Sequence, residues 1–384
     1  MSSWKECRLS ELGTLQRGRS RHRPRYAFHL YGGKYPFIQT GEIREAKKYI
    51  DKYEQTYSEA GLAQSRLWKK GTLCITIAAN IAELAILKFD ACFPDSVLGF
   101  IPDERIVNVD FIFYTLTYFQ KQLKHIGEGS VQDNINLGTF ENITFPIPPL
   151  EEQKAIAEVL SSIDDKIELL HRQNQTLESF SQTLFRQWFI EEAKEEWEEK
   201  PLSKIAGFLN GLACQKFPPQ NDIDKLPVLK IKDLKDGVSK NSDYATSDVK
   251  PEYIVNNGDV IFAWSASLMV KIWDGEKCVL NQHLFKVTSK DFPKWFYYQW
   301  CKYHLDNFIA ISSEHATTMG HIKRGDLDEA MCIIPSSEEL LKMDEQISPI
   351  FKKLEINSKQ IKSLEKMRDT LLPKLLSGEV RIKV

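Results

Sequence analysis

The sequence predicts an α+β protein: two pseudo-symmetric mixed α/β domains separated by two long helices that form an antiparallel coiled coil. Three observations predict it. Over residues 148–189, apolar residues recur at Ile156, Leu160, Ile163, Ile167, Leu170, Leu177, Leu184 and Trp188, with Asn174 and Ser181 at the two remaining positions. That spacing alternates four and three, the mark of a coiled-coil seam rather than of one buried stripe. At about 1.5 Å per residue such a helix spans roughly 57 Å, more than one compact domain needs. The pattern then returns at Met343, Ile347, Ile350, Leu354, Asn357, Ile361, Leu364, Arg368, Leu371 and Leu375, each 187 residues beyond its counterpart. The same shift of 187 carries Ile135 onto Ile322, Phe140 onto Leu327 and Pro148 onto Pro335, so the repeat includes the region ahead of the helix.

Four segments follow: a first domain over 1–147, a central spacer helix over 148–196, a second domain over 197–335 and a C-terminal spacer helix over 336–384. Each seam needs a partner, and the matching seams supply one within the chain. Antiparallel packing of direct repeats brings the C-terminus back beside the first domain. Proline blocks helix upstream of Leu150, and Glu151 and Glu152 suit a helix N-terminus.

Within the domains, residues 4–20 match 197–213 at a shift of 193, with Trp4 on Trp197 and Gly18 on Gly211. Tyr35-Pro36-Phe37-Ile38 and Leu226-Pro227-Val228-Leu229 read as short strands entered through proline. Gly71 and Gly258 each mark a turn feeding a buried strand, Leu73-Cys74-Ile75 in one half and Val260-Ile261-Phe262 in the other. Residues 92–101 correspond to 278–287, and an aromatic helix follows in both halves, at Phe111-Ile112-Phe113-Tyr114 and Trp295-Phe296-Tyr297-Tyr298. The shift drifts between strands, so insertions and deletions fall in loops, where the halves also differ most in chemistry.

Composition bounds the rest. A chain of 384 residues with 42% hydrophobic and 27% charged content is ordinary for a soluble globular protein. A net charge of −2 leaves no whole-surface attraction to nucleic acid, so any such binding must come from local patches. Seven scattered cysteines without a C-x-x-C pair fit reduced thiols. The N-terminus lacks the apolar core of a signal peptide, and residues 73–89 are too short and too polar to span a bilayer. The expectation is a cytoplasmic protein that does not engage membranes.

Catalytic patterns are missing: no phosphate-binding glycine loop, no histidines at metal-ligand spacing, no nuclease or methyltransferase motif. Candidate sites are therefore binding sites. Arg17, Arg19, Arg21, Arg23 and Arg25 alternate with Gly, Ser, His and Pro, a flexible basic loop suited to phosphates or guanine edges. A merely solvated loop has the same composition. The matching stretch of the second half carries only Lys216. Residues 127–136, with Gln132, Asn134 and Asn136, match 313–323, with His315, Thr317, Thr318, His321 and Lys323; both are rich in hydrogen-bonders for base edges and phosphates. Asn281-Gln282-His283 could read bases or serve a strand edge. Phe180, Phe185, Phe189, Leu169 and Phe351 are surplus to a two-helix contact, and either dock a partner or pack on the flanking domains.

Two diverged domains, each followed by an Ile-Pro-led heptad helix, resemble the specificity subunit of type I restriction–modification systems. The resemblance covers the whole chain. It is carried best by residues 145–157, which contain Pro148-Pro149-Leu150-Glu151-Glu152-Gln153, and by the ending Leu371-Leu372-Pro373-Lys374-Leu375-Leu376-Ser377-Gly378. The second helix start departs, with Pro335-Ser336-Ser337 in place of Pro-Pro-Leu. The resemblance implies two target-recognition domains, each reading one half of a bipartite, asymmetric double-stranded DNA sequence. The helices would set the spacing and dock methyltransferase subunits, two of them, which bring S-adenosylmethionine. Restriction subunits would join for cleavage. The chain itself would hold no cofactor or metal and do no chemistry. A structural coiled-coil protein without nucleic acid is the competing class, and a gel shift separates the two.

Overall fold

The computed structural model describes residues 4–78, 81–128, 137–239, 241–314 and 320–382. The chain divides into two compact units, one of Met1–Ile167 with Ser363–Val384 and one of Glu168–Lys362. The divisions fall inside both long helices, so each unit holds one globular part and a stretch of each helix. Among the described residues no helix is long and apolar enough to cross a membrane.

In the first unit a five-stranded sheet runs in the order Gly13–Arg17, Val97–Pro102, Leu73–Thr76, Leu84–Leu87 and Tyr49–Ile50. All pairs are antiparallel except the last. Leu73–Thr76 and Leu84–Leu87 are buried at every residue, as a strand covered on both faces must be. Tyr31–Phe37 and Gln55–Tyr57 form a separate bulged pair. Lys5–Cys7 pairs with Phe145–Ile147, tying the start of the domain to its exit. The helix Val109–Glu128 lays Phe111, Ile112 and Leu116 on Leu73, Ile75 and Phe100, and this core continues through Ile156, Ala157 and Leu160 to Leu375 and Leu376.

The second unit repeats this build. Its first sheet runs Gly207–Asn210, Leu284–Thr288, Val260–Ala263 and Met269–Ile272. Leu73 faces Phe100 in the first unit, and Val260 faces Val287 in the second, the same pair one repeat on. A second sheet runs Tyr244–Thr246, Lys225–Leu229, Cys278–Leu280 and Ile254–Val255. Glu198–Pro201 pairs with Met331–Ile334 as the closing pair. The aromatic helix is Lys294–Tyr303. Gly71 and Gly258 do make the expected turns, at φ of +87° and +91°, a region open to glycine but costly to residues with a Cβ. All seven cysteines are free and buried, and desolvation pushes thiols such as Cys74 and Cys301 up.

The central long helix spans Leu150–Arg186 and ends in a π-turn, Gln187–Glu191; the C-terminal one spans Ser337–Leu376. In the first unit their partners rise along one helix as they fall along the other. In the first, Arg368 donates to Asp164 at 3.1 Å and Arg381 grips Glu152 at 2.8 and 2.6 Å. In the second, the Asn357 amide donates to Gln173 and Asn174 at 3.0 and 2.9 Å. The helices are antiparallel, and Ile156, Leu160, Ile163, Ile167, Leu170, Ile347, Ile350 and Ile361 fill the seam as expected. Asn357, fully buried, makes a polar layer that fixes one register, since any slip strands its amide among apolar side chains.

The departure at the second helix start has a compensating cause. Ser336 accepts from the Glu339 amide at 3.4 Å, while Glu339 accepts from the Ser336 amide and hydroxyl at 3.2 and 2.7 Å. That is a capping box, doing for this helix what Pro148 and Pro149 do for the first. The same glutamates close each unit. Glu152 takes the Trp4 indole and Arg381; Glu339, one repeat on, takes the Trp197 indole and Lys194. Lys194 and Arg381 are themselves one repeat apart. The cation beside it holds each carboxyl below the usual range, Glu339 down to about 2.

Candidate nucleic-acid interface

One corner of the fold is built twice. In the first domain the strand Gly13–Arg17 ends at Gly18, whose amide donates to Val97 at 2.8 Å while the Arg19 amide donates to Phe93 at 3.1 Å. In the second, Gly211 follows Gly207–Asn210 and donates to Leu284 at 3.1 Å, and Leu212 donates to Leu280 at 2.9 Å. Every acceptor lies one repeat beyond its counterpart. A Cβ on Gly18 would sit 2.2 Å from the Pro94 carbonyl oxygen, and one on Gly211 would sit 2.2 Å from that of Asn281. Only glycine lets the strand end approach this turn. Beside each corner, the connection after the central strand holds a non-glycine residue in the left-handed region, Ala82 at +60° and Ala266 at +56°. Such a residue costs about 1–2 kcal/mol.

The side chains around the two corners differ completely. In the first, the Arg17 guanidinium donates to the Asp95 carbonyl, and Arg25 grips the Asp95 carboxylate at 2.8 and 3.1 Å. The Arg21 and His22 amides share the Gln64 side-chain Oε1 at 2.6 and 3.0 Å, and the Ser65 hydroxyl donates to the Arg19 carbonyl at 2.7 Å. Arg23 folds back on the Ser20 and His22 carbonyls at 2.9 and 2.8 Å. The expectation of a flexible basic loop is therefore corrected. Between Arg17 and Arg25 the chain is held by Asp95, Gln64 and Ser65, distant in sequence, which take the Arg17 and Arg25 guanidiniums, the Arg21 and His22 amides and the Arg19 carbonyl. Arg17, Arg21, Arg23 and Arg25 are exposed and Arg19 is half-buried. Arg25 is offset by Asp95, whereas among the described residues no carboxylate pairs with Arg17, Arg19, Arg21 or Arg23.

The second corner is aromatic and polar. The Trp264 indole donates to Asn210 at 3.1 Å and stacks on Phe285 at 5.5 Å. His283 and His321 flank it with ring centres at 6.0 and 6.3 Å. Ser265 contacts the His283 Nδ1 at 3.2 Å, and Gln282 its Nε2 at 3.3 Å. The Ala266 amide donates to Gly320 at 2.9 Å and the Ile322 amide to Trp264 at 3.1 Å, drawing residues 320–322 to the corner. His283 and His321 are exposed, as is Lys323, whose amide caps the following turn through Asp326 at 2.6 Å. Lys216 is exposed on the one-turn helix Cys214–Lys216 just past Gly211. Of the polar candidates, this corner unites Gln282, His283 and His321. Gln132, Asn134, Asn136, His315, Thr317 and Thr318 lie outside the described residues.

Sequence reasoning missed Trp264, Asn210, Gln16 and Arg66. Arg66 stacks over Trp68 at 4.1 Å and donates to Gln16 beside Arg17. No local pattern marks them, since loops far apart in the chain bring them together. The partner-docking set divides. Leu169 and Phe180 are about half exposed, whereas Phe351 is half-buried against Tyr298 at 5.7 Å. Phe185 and Phe189 are buried among Trp295, Phe296 and Trp300. Their assignment to a partner surface is corrected: they are surplus to the helix pair because their own domain covers them.

Two copies of one corner, each lined by different polar groups, define a two-site recognition protein. The model for the type I restriction modification DNA specificity domain matches residues 1–179 and 194–366, and the chain belongs to this family, with two copies of its domain. It is a specificity subunit, a non-catalytic component of systems whose catalytic activities lie in partner subunits. The MjaIX specificity subunit of Methanocaldococcus jannaschii is 29% identical over 383 residues, covering 92% of this chain and 88% of that one. The HindI specificity subunit of Haemophilus influenzae is 22% identical over 472 residues, covering 99% and 100%. The crystal structure of a type I restriction–modification S subunit from M. genitalium shares the fold, with a TM-score of 0.62 at 15% identity over 97% of this chain and 96% of that one.

Proposed function

We propose that the first domain reads one half of a bipartite, asymmetric double-stranded DNA target through the arginine corner, and the second domain the other half through the Trp264–His283–His321 corner. The carrying observation is the glycine-anchored corner built twice with unlike side chains. One frame with two sets of hydrogen-bonders suits two unlike sequences. Arg21 and Arg23, exposed and without a carboxylate partner among the described residues, suit phosphates. In the cytoplasm the complex would add restriction subunits, and S-adenosylmethionine would bind the methyltransferase subunits rather than this chain.

Two methyltransferase subunits are favoured by a second regularity. Leu169 and Phe180 on the central helix lie eleven residues apart, and eleven residues is close to three whole turns, so both share one face. Ile356 and Met367, each one repeat on, are likewise about half exposed. Exposed apolar side chains thus recur at matched sequence positions off the seams of the two helices, which suits two copies of one partner.

Methylation mapping identifies the target; binding of the assembled complex is then measured across salt and across single-base variants. Arg21→Ala with Arg23→Ala should lower the slope of log affinity against log salt by about 0.9 for each phosphate no longer neutralised. His283→Ala with His321→Ala should relax discrimination by about 1–3 kcal/mol at base pairs of the other half-site. Effects confined to the same half-site for both variants, or no effect of either, would overturn the assignment.

A further inference from the structure

Beyond the arginines the first domain carries an unexplained pair of aromatics. Tyr26 is 78% and Phe28 95% exposed, but their segment is firmly held. Phe28–Leu30 form one 3-10 turn closed by the Leu30 amide on Ala27 at 3.0 Å. Leu30 is buried and accepts from the Ser58 amide at 2.9 Å, while the Tyr31 hydroxyl donates to the Arg25 carbonyl at 3.0 Å. The His22 and His29 rings meet edge to face at 5.0 Å. The Phe28 ring is thus presented to solvent from a fixed base, and the His22–His29 contact brings its turn to the segment that carries the uncompensated Arg21 and Arg23. An apolar tip on a segment tied to exposed cations fits a polyanion with a flat apolar interior. In the second domain the exposed tip of the corresponding connection is Ile223, at 96%, between Asp222 and Asp224. Asp222 is paired with Lys225 at 2.6 Å and Asp224 accepts from the Gln220 amide and the Thr246 hydroxyl, so the groups beside this tip are acidic and offer phosphate no unpaired cation.

We propose that Phe28 is a wedge that enters between stacked base pairs of double-stranded DNA at or beside the first half-site, with Arg21 and Arg23 on the flanking phosphates. Apolar side chains that enter a base step part the stack and kink the duplex, by about 20–90° where this is known. The second domain has no equivalent, so the distortion is confined to one side of the target. This inference rests on the DNA-reading role proposed above.

The test uses the full chain assembled with its methyltransferase subunits, bound to target duplexes carrying 2-aminopurine at successive positions. Unstacking raises the fluorescence of this base, and with the methylated adenines, which a methyltransferase itself flips out, left unlabelled, the rise should appear at one step in the first half-site. Phe28→Ala should abolish the rise and weaken binding by roughly 5- to 150-fold, the range of aromatic–base stacking. Phe28→Trp should keep both. Specific binding without any such rise, or a rise that survives Phe28→Ala, would overturn the wedge and leave the reading role standing. Loss of the methyltransferase subunits from Phe28→Ala would make the tip a protein contact and overturn it as well. Failure of the unaltered complex to bind its methylated sequence would instead defeat the reading role.

Discussion

Phe189→Ala should lower the unfolding free energy of the chain by about 3–5 kcal/mol, the usual cost of removing a fully buried aromatic ring. Phe189 is fully buried. Its ring lies 5.5 Å from Phe296, 5.7 Å from Trp300, 6.0 Å from Trp197 and 4.9 Å from Phe185. Phe180→Asp, only nine residues earlier on the same chain, should behave in the opposite way. Its side chain is 52% exposed, so stability should stay within about 0.5 kcal/mol, while co-purification of the methyltransferase subunits should be lost. Chemical denaturation and a pull-down of the two variants decide the matter. Unchanged stability for Phe189→Ala together with loss of the partner would return Phe189 to the docking surface.

Asp110→Ala should be nearly as damaging to the first unit, at about 3–5 kcal/mol, because it strands a buried cation. The Lys48 ammonium lies 2.8 Å from Asp110 and 2.6 Å from the Ser161 hydroxyl of the central helix. Its side chain is 7% exposed, and the Tyr49 and Tyr114 rings each lie 4.9 Å away. The Tyr49 hydroxyl also donates to Asp110 at 2.7 Å. Lys48→Met should cost distinctly less, since Asp110 keeps Tyr49, sits in the first turn of Val109–Glu128, where the helix dipole favours an anion, and retains access to water. Equal losses for the two variants, measured by thermal unfolding, would mean that the site is simply packed rather than charge-balanced. This group matters to function because it joins the globular part of the unit to the spacer helix.

The repeat, the heptad seam and the strand starts were legible because each leaves a periodic or punctuated trace. A seam needs apolar residues every three or four positions, and a buried strand after a tight turn needs glycine before it. Even the antiparallel sense followed from one chain having to satisfy two seams. What could not be read was which surface covers which residue. Phe180 and Phe189 look alike in sequence, and only the aromatic helix Lys294–Tyr303, a hundred residues on, separates them. The arginine run reads as mobile because Gly18 frees the backbone and Pro24 interrupts regular structure. Here Gly18 is the point of closest approach, and Asp95 supplies the anchor. The second corner gathers Asn210 from a strand end and Trp264, His283 and His321 from three separate connections, so no window of sequence contains it.

The glycine corner has a consequence for how such a protein changes over generations. Its frame is held by main-chain hydrogen bonds from Gly18, Arg19, Gly211 and Leu212, which do not depend on neighbouring side-chain identity. Substitutions at Asn210, His283 or His321 can therefore alter the groups offered to a ligand without refolding the domain, whereas a side chain at Gly18 or Gly211 meets backbone at once. Mutation is thus channelled: the two glycines are locked, and the positions around them are open to drift. A lineage can acquire a new preference by single steps through folded intermediates, and it can do so in one domain while the other stays as it was.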